Sequence, residues 1–78
     1  MTKAELKELM DEYSIEDFQQ VYAFIEFVSE LLYGRKIETK ERYPYATKTI
    51  SRLESAEHTV FDLMEYVEGI INGDDDDN

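Results

Sequence analysis

The chain has no cysteine, one histidine, one proline and three glycines in 78 residues. Without cysteine it has no disulfide framework and no thiol nucleophile, and the single imidazole of His58 leaves a zinc site without a ligand set. Gly34, Gly69 and Gly73 are too scattered to form a phosphate-cradling loop, and no nucleophile motif surrounds Ser14, Ser29, Ser51 or Ser55. No apolar run approaches the roughly 18 residues of a membrane span. Residues 1–8 lack the apolar centre of a secretory signal. Together these absences predict a cytoplasmic protein without a membrane anchor, metal or cofactor, and one that is not an enzyme.

Cations are also scarce. Nineteen Asp and Glu stand against eight Lys and Arg, a formal net charge of −11. That excess opposes compaction in a chain too short for more than one small core, so a second subunit or a cationic partner would relieve it. It also disfavours direct contact with nucleic acid or an anionic membrane. The charge falls in blocks. Residues 1–34 sum to about −6, residues 35–52, with Arg35, Lys36, Lys40, Arg42, Lys48 and Arg52, to about +4, and residues 53–78, which hold no Lys or Arg, to about −9.

The periodicity is helical throughout. Thr2-Lys3-Ala4-Glu5 is a capping-box pattern that predicts a short first helix to about residue 12. Ser14 offers the next N-cap, with Glu16 and Asp17 in the first turn of a second helix. Phe18, Val21, Ile25, Val28 and Leu32 then alternate by three and four residues, and Tyr22, Phe24, Phe27 and Leu31 widen the stripe until it needs covering on more than one side. Gly34 reads either as a left-handed stop or as a glycine within a longer helix, with residues 35–42 open to either loop or helix, and Pro44 suits the first position of a third helix. That helix reads through Ala46, Ile50, Leu53, Glu57, Val60, Met64, Val67 and Ile71 before Gly73 ends it. The predicted fold is all-α: a small three-helix bundle over residues 1–73, made of a short N-terminal helix and a long antiparallel hairpin, with a homodimer as an alternative way to cover the apolar face. Residues 74–78 read as an acidic flexible tail.

Two sets of residues stand out as candidates for binding a partner. Glu54, Glu57, Glu65 and Glu68, with Asp62 further round, lie along one flank of the third helix with no Lys or Arg after Arg52 to relieve them, and Asp74, Asp75, Asp76 and Asp77 continue the charge beyond it. The tail sits where the helix dipole is already negative, so helix stability did not select it. It lacks the glycine turn and the distant Glu of a calcium loop. Tyr43 and Tyr45 flank Pro44 at a bend, where an aromatic ring with a polar tip suits an interface. Carboxylates along a helix recur every 4.5 to 6 Å of axis, from a rise of about 1.5 Å per residue, and such a row can imitate phosphates.

In charge and helicity the chain resembles the small acidic proteins, many of them phage-encoded, that occupy DNA-binding surfaces by imitating duplex charge. The resemblance implies an inhibitor whose partner is a basic, nucleic-acid-binding protein, and it carries no residue-level correspondence. A second reading is a structural module assembling through its apolar seams, with acidity serving solubility. A third is an immunity or antitoxin protein that neutralises a basic toxin.

Overall fold

A computed structural model of the chain describes residues 1–73. Every regular element in that span is helical: α1 is Lys3–Glu12, α2 is Phe18–Arg42 and α3 is Thr47–Ile71. The Asp-rich segment 74–78, read above as a tail, lies outside the described residues.

α1 begins as its capping box requires. The Thr2 N–H donates to Glu5 Oε1 at 2.8 Å, and the Glu5 N–H donates to Thr2 Oγ1 at 3.2 Å, so two of the donors that open a helix are satisfied. The helix closes at Tyr13, and Ser14 takes a left-handed backbone with φ of 58°. Ser14 therefore does not cap α2. Asp17 does: its extended backbone lets Oδ1 accept from the Gln20 N–H at 2.8 Å, while Gln20 Oε1 accepts from the Glu16 N–H at 2.9 Å. The intervening turn is tied back by the Ile15 N–H, which donates to the Met10 carbonyl at 2.8 Å. Ile15 thereby packs against the core.

α2 runs 25 residues without a break, straight through Gly34, so residues 35–42 are helix and, of the two readings of Gly34, the glycine within a longer helix holds and the stop does not. A glycine inside a helix costs about 1 kcal/mol relative to alanine. Docking of the next two turns against α3 offsets that cost, because Thr39 is buried and Lys36 reaches an α3 carboxylate. Pro44 ends the helix instead. It occupies the second position of a tight turn closed by the Ala46 N–H donating to the Tyr43 carbonyl at 2.9 Å. α3 consequently starts at Thr47 rather than at the proline, with no side-chain cap on its first turn. The fixed φ of proline suits both arrangements, and the turn won. Gly73, with φ of 95°, ends α3 in the conformation that favours glycine.

α2 and α3 pack antiparallel. Lys36 meets Glu57 and Lys40 meets Glu54, so the α3 partner moves back along the chain as α2 advances. α1 lies across the open end of this hairpin. Leu6 and Met10 of α1, Val21 and Ile25 of α2, and Val67 and Ile70 of α3 form the buried core, and Val67 is 0% exposed. Towards the turn the seam becomes more polar, with Thr39 and Glu57 buried between the long helices. The result is a rod of 43 × 23 × 19 Å with its apolar core at one end.

Candidate functional site

The hairpin rearranges the charge blocks of the sequence. In the register set by the two ion pairs, residues 35–58 form the turn half of the rod, while residues 1–34 and 59–73 fold together as the other half. Six cations and four anions give the turn half about +2. Lys3 and Lys7 against eleven carboxylates give the core half about −9. Two acidic segments far apart in the chain thus meet at one end, and the basic segment goes to the other.

The predicted acidic flank of α3 divides along the same line. Lys36 Nζ lies 2.7 Å from Glu57 Oε1, with both side chains largely buried, and Lys40 Nζ lies 3.6 Å from Glu54 Oε2 in a more exposed pair. The hydrogen bond from Lys36 to Glu57 raises the lysine pKa above its ordinary value, partial desolvation opposes the rise, and the charges of Glu57 and Glu54 reinforce it. The Lys36 ammonium also sits 5.4 Å from the centroid of the Tyr33 ring. Glu57 is therefore an element of the helix seam whose charge is matched inside the chain, and Glu54 is partly matched. Asp62, Glu65 and Glu68 are exposed and make no ion pair among the described residues. They share the core half with Glu26 and Glu30 of α2, which are likewise exposed and unpaired. Asp74, Asp75, Asp76 and Asp77 lie outside the described residues.

Cations of the turn half are drawn into the same internal matching. Arg35 Nη1 lies 3.0 Å from Glu38 Oε1, and Arg42 Nη1 lies 3.8 Å from Glu38 Oε2, a three-residue chain on the exposed face of α2. Tyr43 and Tyr45 project from the turn and are both exposed, Tyr45 almost wholly. At about 1.5 Å per residue along α3, they lie roughly 10 to 15 Å from Glu54 and Glu57 but roughly 22 to 32 Å from Asp62, Glu65 and Glu68.

The described residues contain no group of His, Cys, Asp and Glu that could hold a metal ion, and no helix long and apolar enough to cross a membrane. His58 is exposed beside Phe61, at the rim of a shallow groove that also includes Lys36, Glu54 and Glu57. Every buried side-chain nitrogen and oxygen among the described residues has a hydrogen-bond partner. Searches against protein-family models, curated proteins and solved structures find no match to the chain.

A second surface was only half legible in the sequence. Phe24, Phe27, Val28 and Leu31 follow helical spacing on α2 yet face solvent. α3 packs against the side of α2 that carries Val21, Ile25 and Thr39, about a quarter-turn or more away from Phe24, Phe27 and Leu31 at 100° per residue, and α1 covers only the first turns. The excess width of the apolar stripe was the signal. Which part of it would be left bare depended on the crossing of helices.

Proposed function

We propose that this protein acts by binding, and that its acidic half engages a basic, nucleic-acid-binding surface on a partner protein. The observation that carries this reading is the gathering of about nine excess negative charges into one half of a 43 Å rod. Duplex DNA, with one charge per roughly 1.7 Å of axis, would carry about thirteen over half that length. The acidic half approaches that density on a helical frame. Asp62, Glu65 and Glu68 recur at three-residue steps, about 4.5 Å apart along the axis of α3. A groove built to exchange counterions for DNA phosphates could exchange them for this surface, and the affinity would fall steeply with salt.

The test is competition. Basic proteins captured from a lysate on the immobilised chain are challenged with duplex DNA, and the D62K/E65K/E68K variant is run in parallel. Mutual displacement by DNA, lost in the variant, supports the reading. Partners that hold DNA undisturbed at saturating amounts of the chain would reject it.

The bare apolar stripe of α2 favours a second reading, in which the protein is a helical module that assembles through that face, with itself or with another helix. The two readings use different surfaces and are compatible.

A further inference from the structure

The ion pairs that set the register of the hairpin also sort its cations by side. Lys36 and Lys40 of α2 meet Glu57 and Glu54 of α3 along one flank of the turn half, and that flank is neutral. At about 100° per residue, Arg35 and Arg42 lie roughly 100–160° round α2 from those lysines, and Lys48 and Arg52 lie roughly 120–180° round α3 from those glutamates. All four therefore turn to the opposite flank. There a cleft opens between the two helices, with Arg35, Arg42 and Tyr43 on one wall and Ala46 and Thr49 on the other. Arg52 follows Thr49 by three residues, and Lys48 stands one turn from Arg52 towards the tip of the rod.

This flank is not neutralised. Arg35 and Arg42 share the one carboxylate of Glu38, at 3.0 and 3.8 Å, and both guanidinium side chains stay 69% exposed. Lys48 and Arg52 are exposed and make no ion pair among the described residues. Glu41 lies about 100° from Arg42 on α2, outside the flank. Four cations against one anion leave about +3, on a chain of net charge −11.

Charge of this sign selects an anion, and the geometry selects a single strand of nucleic acid. Tyr43 and Tyr45 flank Pro44 at the mouth of the cleft with their rings exposed, and an open aromatic face stacks an unpaired base. A cleft between neighbouring helices, whose axes run about 8–10 Å apart, admits one backbone rather than a paired duplex. The cations also run inward from the tip. Arg35 is seven residues, about 10 Å of helix axis, from Arg42, out of reach of a flat bilayer that touches the turn. The acidic half does not forbid such a ligand. Asp62, Glu65 and Glu68 lie roughly 15–24 Å along α3 from Arg52, beyond the Debye length of about 8 Å at physiological salt.

We infer that the Arg35, Arg42, Lys48 and Arg52 flank binds single-stranded nucleic acid, with phosphates on the cations and bases stacked on Tyr43 and Tyr45. This goes beyond the action proposed for the acidic half and does not depend on it, since the two surfaces occupy different ends of the rod.

The test is fluorescence anisotropy of a labelled oligothymidylate of about eight nucleotides, within the usual span of single-strand sites, titrated with the full chain. Saturable binding that weakens with salt is expected, with the corresponding duplex bound at least about 10-fold less tightly. Tyr45→Ala, at a side chain 93% exposed and therefore free of any role in folding, should weaken binding by about 10-fold, the loss of one stacked base. The Arg35→Glu/Arg52→Glu double variant, checked for retained helical circular dichroism, should weaken it by about 100-fold or more. No binding at millimolar chain would overturn the inference, as would a duplex bound equally well or full affinity in the double variant. Unchanged affinity in Tyr45→Ala would overturn the stacking. An oligoglutamate of equal charge that competes as well as the oligothymidylate would make the occupant an acidic peptide, and sedimentation with phosphatidylserine vesicles without oligonucleotide binding would make it a membrane; either result would also overturn it.

Discussion

Lys36 and Glu57 join the two long helices by a 2.7 Å contact at the point where the apolar core gives way to a polar seam. Glu57 sits at a heptad position that its neighbours fill with Leu53, Val60 and Met64, so a carboxylate occupies a place built for an apolar side chain. Removing one partner of such a pair leaves the other desolvated, whereas replacing both with apolar groups removes the problem. We expect Glu57→Ala to lower the melting temperature by several degrees. A Lys36→Met/Glu57→Leu double variant should match or exceed the wild type. Glu54→Ala, which breaks the exposed pair with Lys40, should cost no more than about 0.5 kcal/mol. Thermal denaturation of the three proteins checks the order.

Gly34 and Gly73 make opposite demands. An added Cβ at Gly34 meets nothing within 4 Å and the backbone there is helical, so Gly34→Ala should stabilise the protein by about 0.5–1 kcal/mol. Gly73→Ala must place a side chain in left-handed backbone and should not stabilise. Urea denaturation with unchanged m-value would register the first gain.

The contrast between these glycines shows what the sequence could and could not reveal. Thr2 with Glu5, and Gly73 as a stop, were readable because each acts within a single turn of chain. Gly34 and Ser14 offered equally good local signals and were overruled. Continuation past Gly34 depends on Lys36 and Thr39 docking against α3, and the start of α2 depends on Ile15 reaching the core, which moves the cap to Asp17. Glu57 fitted both the heptad seam and the acidic flank, and only the position of Lys36 on a neighbouring helix separates the two. The blocks of charge were countable from the start, but that the −6 and −9 blocks share an end required the hairpin.

α1 depends on its docking. A ten-residue helix is marginal alone, and Leu6 and Met10 are its buried anchors. Met10→Ala should cost about 2–4 kcal/mol. Amide hydrogen exchange should show protection lost first in residues 3–12 and retained longer at the α2–α3 seam.

Two groups set expectations for pH. The Glu5 pKa is lowered from 4.5, first by the hydrogen bond from the Thr2 N–H and then by the Thr2 hydroxyl, so its stabilisation is present above pH 4.5 and is lost as pH falls through the lowered value. The Lys36 pKa is raised from 10.5, so its contribution is complete below pH 10.5 and is lost as pH rises through the raised value. The melting-temperature gap between wild type and Glu5→Ala should close on the acid side. The gap between wild type and Lys36→Met should shrink on the alkaline side, as pH rises through the raised lysine value.

Salt should stabilise this protein. At a net charge of −11, with Glu26, Glu30, Asp62, Glu65 and Glu68 lacking ion-pair partners among the described residues, repulsion within the acidic half outweighs what screening takes from the few exposed pairs. The melting temperature should rise between 10 mM and 500 mM sodium chloride, two arbitrary ionic strengths chosen to span Debye lengths of roughly 30 Å to 4 Å. D62K/E65K/E68K should show a smaller rise.

The lopsided placement of charge gives a single chain a permanent electric moment along its length. Near a cationic surface the field would turn the rod before anything touches, acidic end foremost, with the two tyrosines of the turn trailing.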